Sequence, residues 1–351
     1  MRLKEIEQRT SVPYTDEELG LKDNQLLKGS VIYLDQNIYG RLIDGNIKEP
    51  EKAKDILKVL GELHGCYLPF SFAHIYEVLN IPAEKMEYRE KHLKLIKEIS
   101  GGISITYRYD MERFTIKPEC PFEVFQSIVE SEDAYKVLEK IPRILEDESM
   151  AKEAERCGVS RETLEGFDIA SVQLVKGVNL RELLESLSTK EQIQETRLAF
   201  GLDPKVLNNM SMFEAINFID QRIKQVHEEK LADETYRQQY LAGIGNLKPM
   251  TIASSIDYMA EKILQPNGIA ANEFSKLIML ASLLETYGFQ SQQLNKNQGA
   301  AFYDHIHFAI AQSSHLFLSR DEKLIKKIGK SKAIYFDNFL KMVTKDLPKS
   351  P

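Results

Sequence analysis

The chain has no run that approaches the roughly 18 consecutive apolar residues of a membrane-spanning helix. Its first residues, MRLKEIEQRT, lack the apolar stretch of a secretory leader. Cysteine is scarce: Cys66, Cys120 and Cys157 are odd in number and show no paired spacing. That argues against a disulfide framework or a zinc site, and a reducing, cytoplasmic setting is expected. Positive charge is not in excess either: 46 Lys and Arg stand against 53 Asp and Glu, a net charge of −7. A protein that coats nucleic acid non-specifically is thereby disfavoured. A nuclease is not, because a cluster of acidic metal ligands makes its own site negative. No internal repeat and no low-complexity tract interrupts the sequence.

What is present is globular in composition, with 43% apolar and 28% charged residues in 351. That length suits two domains, or one domain with a large insertion. The segment up to about residue 107 alternates strand and helix signals. SVIYLD (30–35), CYLPF (66–70) and ISIT (103–106) are short apolar runs rich in strand formers. Between them lie the amphipathic EPEKAKDILKVLGELHG, then FAHIYEVLN behind the N-cap candidate Ser71, then EKMEYREKHLKLIKEIS, which stops at Gly101 and Gly102. Residues 108–268 are dominated by helix formers and charge. From 269 the α/β pattern returns, with FYDHIHFAIAQSS as a helix, HLFLS as a strand, RDEKLIKKIG as the start of a helix, and KAIYF as a last strand. The expected fold is α/β: a central parallel sheet flanked by helices, formed by residues 1–107 and 269–351, with an all-helical insertion over 108–268.

Open parallel sheets bind ligands at the carboxyl ends of their strands. Asp35 follows the first strand, and Asp321 follows HLFLS by two residues. Asp304 lies at the start of the helix that feeds HLFLS, and Glu77 in the helix after CYLPF. This topology can gather all four carboxylates at one sheet edge. Unpaired, they would repel one another and raise each other's pKa. A hard divalent cation such as Mg²⁺ or Mn²⁺ removes the conflict and prefers oxygen ligands.

The stretches IYLDQN, FSFAHIYEVLN and DHIHFAIAQSSHLFLSRDEKLIKK resemble the signature segments of PIN-domain ribonucleases. The last is the most specific: an Asp, a His three residues on, a small-residue helix, an apolar strand and Ser-x-Asp. The resemblance covers roughly residues 28–107 and 270–345 and is silent on the middle. It implies a PIN-like sheet and a metal-dependent endoribonuclease in which Asp35, Glu77, Asp304 and Asp321 hold Mg²⁺ or Mn²⁺. It also implies that Asn37 and Ser319 support the site, and that His307 touches a metal-bound water or the substrate. Gln36 departs from the small Thr or Ser often found after the first Asp. The partner implied is RNA, with DNA as the alternative. The insertion of about 160 residues is expected to select substrate or a protein partner, and a homodimer stays open.

Each acid also has a plainer reading. Asp35 and Asp321 can cap the elements that follow them, Asp304 can favour a helix N-terminus, and Glu77 can be a solvated helix residue. A PIN-like protein without turnover, acting as a binding scaffold, is the alternative from another class. His305 and His227 are expected at the surface, and Tyr33 and Tyr39 in packing. The basic stretches KHLKLIK (91–97) and KLIKKIGKSK (323–332) are expected as solvated helix faces.

Overall fold

The computed structural model describes residues 30–62, 65–108, 113–138, 190–267, 270–291, 298–329 and 331–346. At its centre β1 (Ile32–Leu34), β4 (Leu316–Ser319) and β5 (Ala333–Tyr335) form a parallel sheet in the order β1-β4-β5. The register pairs Tyr33 with Phe317 and Phe317 with Ala333. On the free side of β1 runs Cys66–Phe70, bridged in parallel to Val31 through Tyr67 and to Ser104 of β2 (Ile103–Arg108) through Phe70. Backbone bonds of 2.8 Å from Ile32 N to Tyr67 O and 2.7 Å from Ile105 N to Phe70 O carry the contact. Pro69 has no N–H to donate, so this run bridges its neighbours and does not form a continuous strand. The chain thus moves outward on one side of β1 and returns on the other, which places the reversal of strand order between β1 and β4.

Side chains alternate across the sheet, as a strand requires. Ile32, Leu34, Leu316 and Leu318 enter one core, with Ile38, Leu57, Ile75, Leu93, Ile96 and Phe339. That core is closed by α1 (Gln36–Ile43), α2 (Pro50–Glu62), α3 (Phe72–Leu79), α4 (Met86–Ser100) and α14 (Phe336–Asp346). Tyr33 and Phe317 point to the other face, into a second core with Leu277, Leu280, Leu284, Ile306 and Ile310. These come from α11 (Glu273–Tyr287) and α12 (Gln298–Ser313).

The region expected to be all-helical opens with a strand. β3 (Arg113–Pro118) pairs antiparallel with β2. Its alternation explains why: Phe114 and Ile116 face the second core, while Arg113 and Lys117 face solvent. Next comes α5 (Pro121–Leu138). Residues 139–189, where further helical segments are expected, lie outside the described residues, as does Cys157. From 190 the chain is helical: α6 (Lys190–Ala199), α7 (Pro204–Leu207), α8 (Met212–Lys230), α9 (Glu234–Ile244) and α10 (Ile252–Met259). Ile216, Ile219, Ile223 and Ile256 from this stretch share the core of α11 and α12. The Arg197 guanidinium donates to the carbonyls of Thr286 and Glu285 at 2.8 and 2.7 Å, satisfying the end of α11.

The first basic stretch is a solvated face laced by Lys91–Glu87 and Lys94–Glu90 pairs, as expected. The second is not: Lys327 and Lys332 are buried. Among the described residues no helix is long and apolar enough to cross a membrane.

Candidate functional site

β1 ends at Leu34 because its ladder with β4 closes there, through Asp35 N to Leu318 O at 2.9 Å. Asp35 then occupies the N-cap position of α1 in extended conformation, yet its side chain makes no capping hydrogen bond. Its Oδ2 instead accepts from Ser319 Oγ and from Asn37 Nδ2, each at 2.5 Å. Ser319, fully buried at the end of β4, also accepts the Asp321 N–H at 2.8 Å. The two central strand ends are therefore tied together through Asp35. Burial pushes the Asp35 carboxyl up to about 6; His307 and Ser319 oppose the rise, and the charges of Glu77 and Asp321 add to it.

Asp304 lies two turns inside α12, not at the helix start expected from the sequence. The helix begins earlier, at Gln298, ahead of the FYDHIHFAIAQSS stretch. An N-terminal dipole role is thereby excluded for Asp304. Burial pushes its carboxyl up to about 7; Lys327 opposes this, and Asp35 and Glu77 add repulsion. Asp321 does cap α13 (Glu322–Ile328): its Oδ1 accepts from Lys323 N at 2.7 Å and Leu324 N at 3.1 Å. Both bonds fall on one oxygen. Glu77 projects from α3 and accepts from His307 Nε2 at 2.8 Å.

His307 differs from its expected role. It is fully buried, with both ring nitrogens engaged inside the protein: Nε2 on Glu77, and Nδ1 on the Tyr33 hydroxyl at 2.7 Å. Burial alone would push the ring down, but its hydrogen bond to Glu77 and the charges of Glu77, Asp35 and Asp304 raise it above the ordinary value. Tyr33 also bonds Ser71 Oγ at 2.7 Å. Ser71 is the N-cap residue of α3, as expected, and its N–H donates to His74 Nδ1 at 2.9 Å. The sequence marks Tyr33 for packing and Ser71 as a cap but gives neither a polar supporting role, and His74 has no signal beyond its capping spacing from Ser71. Gln36 turns away from the acids, its Nε2 3.2 Å from His92 Nδ1.

Two further histidines expected at the surface are buried. His227 bonds Leu247 O at 3.0 Å through Nε2, and His305 Nε2 lies 2.9 Å from Glu285 Oε2. That same oxygen accepts from Lys327 Nζ at 2.9 Å. Tyr33 and Tyr39 are packing residues, both fully buried.

The four acids thus interact electrostatically, although among the described residues no group of three or more His, Cys, Asp and Glu side chains is placed to hold a metal ion as it stands. The donor chemistry around Asp35 is oxygen-rich, and Asn37 Oδ1 is buried without a hydrogen-bond partner. Oxygen donors and carboxyls that resist ionisation next to one another fit a hard divalent cation. Comparison with protein-family models, curated proteins and solved structures finds no match to this chain.

Proposed function

We propose that the protein is a PIN-like, metal-dependent endoribonuclease whose centre is Asp35, Glu77, Asp304 and Asp321. The observation that carries this reading is Asp35. It sits at the strand-order reversal between β1 and β4, the preferred ligand position in such sheets. It forgoes the cap expected of an Asp there and turns into the field of the other acids.

Asp35, Glu77 and Asp304 would hold Mg²⁺ or Mn²⁺, with Asp321 offering the oxygen that is not capping α13 and Asn37 Oδ1 aiding. The cation would lower the pKa of the attacking water and offset charge on the phosphate. Ser319 fixes the Asp35 carboxylate by donating to it, and the cap fixes Asp321. Hydrolysis in this mode leaves a 5′-phosphate and a 3′-hydroxyl.

The test is cleavage of a pooled single-stranded RNA and a matched DNA, with Mn²⁺ or with EDTA, by wild type and Asp304→Asn. RNA cleavage lost in EDTA and in the variant is expected. DNA cleavage with the same dependence would keep the chemistry and change the substrate. Cleavage that persists in Asp304→Asn would overturn the site.

A further inference from the structure

Behind the acids lies a set of polar groups that the reaction does not use directly. Tyr33, Ser71, His74 and His307 are all fully buried, from three elements far apart in sequence. The hydrogen bonds among them are continuous. His307 Nε2 meets Glu77 Oε1 at 2.8 Å, and His307 Nδ1 meets the Tyr33 hydroxyl at 2.7 Å. The Tyr33 hydroxyl meets Ser71 Oγ at 2.7 Å, and Ser71 N–H donates to His74 Nδ1 at 2.9 Å. His74 Nε2 then donates to Leu34 O at 2.8 Å, the carbonyl immediately before Asp35. With Nδ1 accepting from a backbone N–H, the proton of neutral His74 resides on Nε2, so the tautomer follows from the geometry. The rings also pack on one another: Tyr33–His74, Tyr33–His307 and His74–His307 centroids lie 5.2, 5.6 and 5.0 Å apart.

Buried polar groups are retained at a desolvation penalty unless every partner is supplied. Here every one is supplied, and the chain joins just the three elements that carry Asp35, Glu77 and Asp304: β1, α3 and α12. We propose that His307 and Tyr33 are positioning residues, forming a buried brace that fixes the Glu77 carboxylate relative to the end of β1. The brace rests on the metal-site reading above and names the residues that pre-organise it. A ligating carboxylate held by a histidine, itself held by a hydroxyl, is the kind of outer support that sets ligand orientation.

The probe is Mn²⁺ alone, titrated calorimetrically into the full chain, with the KM for RNA measured alongside. His307→Ala removes both bonds, His307→Gln keeps an amide N–H near Glu77, and Tyr33→Phe removes one hydroxyl while keeping the ring in place. Mn²⁺ affinity is expected to fall about 10- to 100-fold in His307→Ala and by less in Tyr33→Phe. His307→Gln is expected to restore most of the loss, and at saturating Mn²⁺ the KM for RNA should stay unchanged throughout. Tyr33→Phe also guards against a folding defect, since it deletes no packing volume. Wild-type binding with unaltered affinity in both His307→Ala and Tyr33→Phe would overturn the brace alone. Absence of Mn²⁺ binding in wild type, or binding that survives Asp35→Asn with Asp304→Asn, would overturn the site and the brace with it.

Discussion

The strongest test of the fold lies just below the site, in the ion pair between Lys327 of α13 and Glu285 of α11. The Lys327 side chain is 4% exposed and that of Glu285 is 16% exposed, at 2.9 Å. Burial pushes the Glu285 carboxyl up, but the Lys327 charge and the His305 hydrogen bond outweigh it and hold it well below the usual carboxylate range. Lys327→Met fills similar volume and leaves the carboxylate facing an apolar chain. Removing one partner of a buried pair typically costs about 3–5 kcal/mol. At about 2 °C per kcal/mol for a chain of this size, the Tm should fall by roughly 6–10 °C. Adding Glu285→Gln removes the stranded charge, so the double variant should regain at least half of the loss. The pH dependence has a definite sign. A carboxyl with a depressed folded pKa contributes stability above its unfolded value of about 4.3, and that stability is lost as pH falls. The gap between wild type and Lys327→Met should therefore be full at pH 7 and shrink below about pH 4.3. Urea unfolding is the assay, because Lys327 also acts on Asp304 and cleavage would mix two effects. A loss below about 1 kcal/mol at pH 7, or a gap that widens in acid, would refute the reasoning.

Asp304 offers the opposite sign. Its folded pKa is raised from 3.8 to about 7, so its penalty is absent below the unfolded value and grows as pH rises through 7. In EDTA, Asp304→Asn should be more stable than wild type at pH 8, by at least about 1 kcal/mol of the roughly 4 kcal/mol that three pKa units represent; a less stable variant in urea would contradict this. Gly288 ends α11 at φ +105°, where an added Cβ would stand 2.9 Å from Pro204 Cγ. Gly288→Ala should lose more than about 1 kcal/mol in the same assay, and a neutral result would exclude strain there. Phe317→Ala opens a void between β4 and the second core and should lose about 3–5 kcal/mol by urea unfolding, with a loss under 1 kcal/mol counting against a packed sheet face.

Much of this arrangement was legible in local pattern. SVIYLD, HLFLS and KAIYF became the three strands of the central sheet, ISIT pairs with β3 instead, and CYLPF makes only isolated bridges. The misreadings share one cause. Residues two apart on a helix face different ways, so His305 was expected in water while His307 faced the site. That inference needs a solvated face, and α12 has almost none: Tyr303, Ile306, Phe308, Ala309, Ile310 and Ala311 are buried together with both histidines. A helix enclosed on all sides gives its polar residues no solvent to point to, so each must find a partner inside. Lys327 was misread for the same reason, because its partner Glu285 lies 42 residues away in sequence.

The acids divide along the same line. Sequence places Asp35 and Asp321 alike, each after a strand and before a helix, and the capping preference applies equally to both. What separates them is tertiary. Asp321 finds the N–H groups of Lys323 and Leu324 within its own turn and caps them. Asp35 has similar amides ahead of it but meets Ser319 Oγ, 284 residues away, across the β1–β4 seam. A hydroxyl donating to a carboxylate in a buried site outweighs a cap that water or a backbone turn can replace. That choice leaves the Asp35 carboxyl in the field of Glu77 and Asp321, while Asp321 keeps its cap on α13.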